Sequence, residues 1–148
     1  MAAEHTSPEP PQRTGTTAVP SLRLWGLLVL ILFLVTSVVG GSLASESSYL
    51  PVTLGGHIGL AVVTLLAAGY ATSFAGRRYR GLPRASAGLA ALSALGATIA
   101  GTVFLVGNQS NGALYAMEGF AFVGILSALV MIAVGSPSGK YVRSSGNA

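Results

Sequence analysis

No cysteine occurs among the 148 residues, which excludes a disulfide framework, a thiolate metal site and a thiol nucleophile. Charge is scarce as well. Only 8% of residues are Asp, Glu, Lys or Arg, where a soluble domain carries about a quarter. The sequence has no phosphate-binding glycine loop and no hydrolytic triad pattern. Eight Lys and Arg stand against four Asp and Glu, but their placement, described below, has a topological explanation. The excess of positive charge is therefore not a nucleic-acid signal, and no nucleic-acid partner is expected.

What the chain does have is apolar length. Four runs, residues 22–40, 52–74, 88–106 and 113–134, contain no Lys or Arg apart from Arg23. About 20 such residues cross the hydrocarbon core of a bilayer, so each run is read as a transmembrane span, numbered 1 to 4 in order. The 20 glycines fit this setting, because membrane helices tolerate glycine better than soluble ones. The expected fold is an all-α integral membrane protein, a four-transmembrane-helix bundle over residues 21–135. Residues 1–20 and 136–148 lack an apolar pattern and are expected to be disordered cytoplasmic tails. Span 1 exceeds the 7–15 apolar residues of a cleaved signal peptide and follows a tail of about 20 residues, so it reads as an uncleaved anchor.

Arg13 and Arg23 precede span 1. Arg77, Arg78, Arg80 and Arg84 separate spans 2 and 3, and Lys140 and Arg143 follow span 4. The loops 41–51 and 107–112 carry no basic residue. By the positive-inside rule both termini are cytoplasmic, in a multi-pass protein of the cell membrane. The arginine loop could also contact anionic lipid head groups. Trp25, Tyr49 and Tyr115 fall where interfacial aromatic anchors belong. Leucine-rich span 1 reads as lipid-facing, and span 3, with its alanines and glycines, as a packing element.

An offset of 61 residues superposes the two halves without a gap: Gly40 falls on Gly101, span 2 on span 4, and His57 on Glu118. Two hairpins in the same orientation would form a parallel repeat. His57 and Glu118 are the ionisable side chains in the spans suited to acid–base chemistry near neutral pH. Each lies about 5–9 Å below the outer end of its helix at 1.5 Å per residue. Helical periodicity puts Thr53, Ala61, Thr64, Ala68 and Ala71 on the His57 face and Ile58, Val62 and Leu66 opposite, with Gly55 and Gly59 on that far side. Glu118 has a bulkier, mostly apolar face, where desolvation disfavours a lone carboxylate. His57 is its candidate partner, and Thr53, Thr98 and Thr102 are candidate donors.

Val39-Gly40-Gly41 leading to His57, with Gly101 leading to the matching position in span 4, resembles one half of the haem A synthase family over residues 22–135. That family consists of two four-helix bundles with haem-ligating histidines on the second and fourth helices of each. The resemblance implies a four-helix haem-handling or cytochrome oxidase assembly protein, with haem held by His57 near the outer side. The sequence departs from the family at three points. Glu118 stands at the position of the fourth-helix histidine, Leu54 near that of the acidic residue before the second-helix histidine, and the outer-loop cysteines are absent. The implied axial pair is then His57 with Met117, or His57 with the same histidine of a second protomer. His57, Met117 and Glu118 are thus the candidate cofactor-binding residues, with His57 the candidate metal ligand. Beside this stand a non-catalytic accessory subunit of a larger membrane complex, or a homodimer, and a proton-coupled carrier using His57 and Glu118.

Overall fold

A computed structural model describes residues 21–44, 51–107 and 110–135. Among them are four helices, α1 (Leu22–Ala44), α2 (Pro51–Arg78), α3 (Leu82–Val106) and α4 (Asn111–Val134), and no strand. All four are long and apolar enough to cross a membrane. Both expected tails, His5 and Tyr49 lie outside the described residues.

The helices run past the apolar stretches, most clearly at the arginine-bearing connection. There α2 continues through Arg77 and Arg78, and α3 starts at Leu82 rather than at residue 88. Main-chain hydrogen bonding does not require an apolar side chain, and arginines in the last turn of α2 complement its dipole. Gly81, at φ 68°, makes the turn between the two helices. That backbone region is open to glycine at little cost, and Pro83 follows in the first turn of α3. At the other end of the bundle Ser110 caps α4, its hydroxyl accepting from the Ala113 amide at 3.4 Å.

Neighbouring helices pack as an antiparallel ring, α1 on α2 and α4, α3 on α2 and α4. Contact pairs run in opposite directions along the α1–α2, α1–α4 and α3–α4 seams. In the α1–α2 hairpin, Trp25 meets Tyr70 with ring centroids 4.5 Å apart, and Thr36 lies 3.1 Å from Thr64. Thr64 donates to Leu60 O at 2.7 Å, so its lone pair accepts from Thr36. Thr98, Thr102 and Ser127 likewise donate to carbonyls four residues back, which meets the need to satisfy polar groups inside hydrocarbon.

The interior is built of small residues. Ala68, Ala71, Ala75, Ala87, Ala90, Ala128, Ser93 and Ser127 are buried. Apolar side chains gain little by leaving lipid, so helix association rests on close packing, which small residues permit. Bulk comes mainly from α1, whose Leu22, Val29 and Phe33 are buried together with Met131 of α4. Span 1 is therefore not simply lipid-facing. Its Leu24, Leu28, Ile31 and Val35 point outward, but a stripe at intervals of four and seven residues enters the core. Outward faces elsewhere are also greasy, as with Leu66 at 67% and Leu92 at 65% exposure. Such surface suits hydrocarbon rather than water.

The contacts that join the two hairpins lie toward the arginine end. Phe33 fills the space over Gly124, and Met131 and Ile132 stand about 3.0 Å from a side-chain carbon built on Gly26. Arg23 Nε donates to Ile132 O at 2.9 Å, satisfying a carbonyl at the open end of α4. Thr72 of α2 shares its hydroxyl proton between Ala68 O at 2.9 Å and Ala87 O of α3 at 2.7 Å. Toward the opposite end the space between the hairpins is a cavity.

The Phe33–Gly124 seat gives a direct test. A methyl at residue 124 would collide with a ring that is only 2% exposed. Gly124→Ala should cost about 1–3 kcal/mol, the usual penalty of overpacking, read as a lower thermal midpoint in detergent. Phe33→Leu in the same chain should recover most of the loss.

Candidate functional site

The cavity has a volume of about 340 Å³ and is walled by all four helices. It is bounded by the α1 segment from Phe33 to Leu43, the α2 segment from Leu54 to Thr64, the α3 segment from Ala94 to Leu105 and the α4 segment from Leu114 to Ala121. Its size is at the lower end of small-molecule sites, which span about 300–1,000 Å³. The wall is predominantly apolar, and its polar members include His57, Thr98, Thr102 and Glu118.

His57, Met117 and Glu118, singled out from sequence, all line this one space. They occupy it differently. His57 is half-buried on the face that also carries buried Thr64, Ala68 and Ala71, as its periodicity predicts. Leu66 is exposed on the far side, but Ile58 and Val62, expected opposite His57, line the cavity with it. Its ring lies against Gly40 of α1, where a side-chain carbon would stand 2.7 Å from Cε1 and 3.3 Å from Nε2. Gly40 is thus the seat of the imidazole. Sequence reasoning had the signal, since Gly40 aligns with Gly101 in the repeat, but not its use.

The second hairpin repeats the device with a different side chain. A carbon built on Gly101 would stand 3.4 Å from Met117 Sδ, so Met117 follows the α3–α4 seam. Glu118, one residue on, is exposed at the rim of the cavity. The repeat therefore brings His57 and Met117 to corresponding glycines, not His57 and Glu118.

Two buried side-chain nitrogens, Trp25 Nε1 and His57 Nδ1, lack a hydrogen-bond partner among the described residues. Of these, His57 lines the cavity. An unpartnered buried polar atom costs about 1–3 kcal/mol. Glu118 does not meet the need of Nδ1, and Thr98 and Thr102 use their protons on Ala94 O and Thr98 O at 2.8 and 2.9 Å. The threonines expected as donors consequently offer lone pairs to the cavity. Thr53 is half-buried and lies outside the cavity wall as described.

No group of three or more His, Cys, Asp or Glu side chains that could hold a metal ion occurs among the described residues. A haem brings four equatorial nitrogens of its own and asks the protein for one or two axial ligands. An imidazole with a thioether is one such pair, and His57 of the first hairpin and Met117 of the second both line the cavity. In donor chemistry and apolar lining the residues fit the group. Comparison with protein-family models, curated proteins and solved structures gives no significant match.

The Gly40 seat is testable without knowing a ligand. Gly40→Ala must either displace the imidazole or strain the α1–α2 seam. The expected result is several-fold faster carbethoxylation of His57 by diethylpyrocarbonate, followed by peptide mass spectrometry, or a loss of about 1–3 kcal/mol in stability. An unchanged rate together with unchanged stability would remove the seat. Gly101→Ala should leave His57 reactivity as it was.

Proposed function

We propose that this chain is a multi-pass protein of the cell membrane, with both termini cytoplasmic, that binds a lipid-soluble cofactor in the gap between its hairpins. Haem is the cofactor best matched to its side chains. The observation that carries the reading is a single apolar cavity on whose wall His57 and Met117 both stand.

In this reading His57 and Met117 hold the group. The small-residue wall of α3 leaves room for a flat molecule, and Phe33 closes the cavity toward the arginine end. Haem bound there would supply one-electron chemistry or be carried as cargo for oxidase assembly. The orientation rests on Arg23, Arg77, Arg78, Arg80 and Arg84 sharing one end of the bundle with the sequence positions of Arg13, Lys140 and Arg143.

A second reading, an accessory subunit of a larger membrane complex or a homodimer, draws on one observation. Gly55, Gly56 and Gly59 form an exposed strip of α2 with open space in front of each, a surface that another helix could approach closely. A proton-coupled carrier would need His57 and Glu118 to communicate, and no hydrogen bond or ion pair joins them among the described residues.

The test is an absorption spectrum of protein purified after expression with haem supplied. A Soret band is expected, lost in His57→Ala and shifted or weakened in Met117→Leu. A colourless wild type that takes up no haem on titration sinks the haem reading.

A further inference from the structure

The opposite end of the bundle carries a feature that the cofactor site does not use. Arg77 and Arg78 close α2, Arg80 lies in the connection and Arg84 stands in the first turn of α3, and all four are exposed. Among the described residues Glu118 is the sole acidic side chain, and it lines the cavity at the other end. Among the described residues the arginines therefore have no carboxylate counterion there.

Their placement is not neutral with respect to the helices. Arginines at the end of α2 suit its dipole, but Arg84 sits at the start of α3, where positive charge is disfavoured. That first turn contains no acidic residue, and Gly81 contributes no side-chain cap. The helical bonding begins with Ala85 N to Gly81 O at 3.1 Å, so the amides of Leu82 and Arg84 precede it and add to the positive field. The turn at Gly81 is short and holds the two helix ends together. Arg78 is partly committed, its guanidinium lying 5.2 Å from the centre of the Phe74 ring, and Arg23 is bonded to Ile132 O. Among the described residues Arg77, Arg80 and Arg84 have no hydrogen-bond, ion-pair or ring partner. The half-buried Trp25 and its neighbour Tyr70 occupy the same end, an aromatic pairing typical of head-group depth.

We propose that Arg77, Arg80 and Arg84 bind the phosphate head group of an anionic membrane lipid at the α2–α3 turn. Planar guanidinium groups pair with phosphate oxygens in a bidentate manner, and the lipid supplies a countercharge that none of the described residues offers at this end. The site is independent of the cofactor site. It also differs from a topological signal, because an orienting charge acts during insertion and leaves the folded protein indifferent to head-group chemistry.

The experiment uses the full chain purified in detergent and reconstituted into nanodiscs or mixed micelles, with bound lipid counted by native mass spectrometry. Phosphatidylglycerol should be retained over phosphatidylcholine by about tenfold or more, and each arginine changed to glutamine should reduce that preference about fivefold. These side chains are exposed, so Arg80→Gln/Arg84→Gln should fold, with helicity by circular dichroism as the check. The preference should also fall as salt rises. Equal retention of the two lipids overturns the proposal. So does protection by millimolar inorganic phosphate equal to that by phosphatidylglycerol, which would mark a free-anion site instead. Neither result bears on whether the protein binds haem.

Discussion

Reciprocal packing of a large side chain into the space left by a glycine is the constraint on which the rest of this bundle depends. In lipid no solvent drives the helices together, and contact quality has to hold them. Phe33 on Gly124 and Met131 with Ile132 on Gly26 bind the hairpins to one another near the arginine end, and Phe120 on Gly96 and Met117 on Gly101 hold α3 to α4. His57 on Gly40 has the same form within the first hairpin. A residue read as chemistry is thus also a packing residue, and its ring position is set by the neighbouring helix rather than by its own.

That arrangement explains why the cavity lies where it does. Within each hairpin the knob-and-glycine contacts extend to the end that carries His57. Between the hairpins the contacts at Phe33, Met131, Arg23 and Thr72 lie toward the other end. The unfilled volume is the remainder of the seam. On α2 and α3 its walls mix small residues suited to close helix approach, such as Ala61, Ala94, Ala97 and Gly101, with larger ones such as Ile58, Val62 and Phe104.

The four helices were legible because an apolar run of 20 residues has few alternatives, and the faces of α2 were legible because periodicity needs only local sequence. His57, Thr64, Ala68 and Ala71 fell on one side as expected. The ends were less legible, since a helix continues through Arg77 and Arg78 for backbone reasons that hydropathy does not register. The inward role of α1 was missed for a different reason. Leu22, Val29 and Phe33 do not differ in kind from the leucines that face outward, and what selects Phe33 is Gly124 of α4, far along the chain. Pairings of this sort depend on helix partners, and a single helix does not contain that information.

Met117 and Glu118 show how finely such a partner decides. Successive residues on a helix are turned by about 100° from one another, so placing Met117 on the Gly101 seam turns Glu118 out to the cavity rim. Glu118 is exposed there, whereas Nδ1 of His57 is buried against Gly40 in its own seam. The two ionisable groups of the spans are therefore unequal: one stands at the rim of the gap, and the other is held in place by the helix beside it.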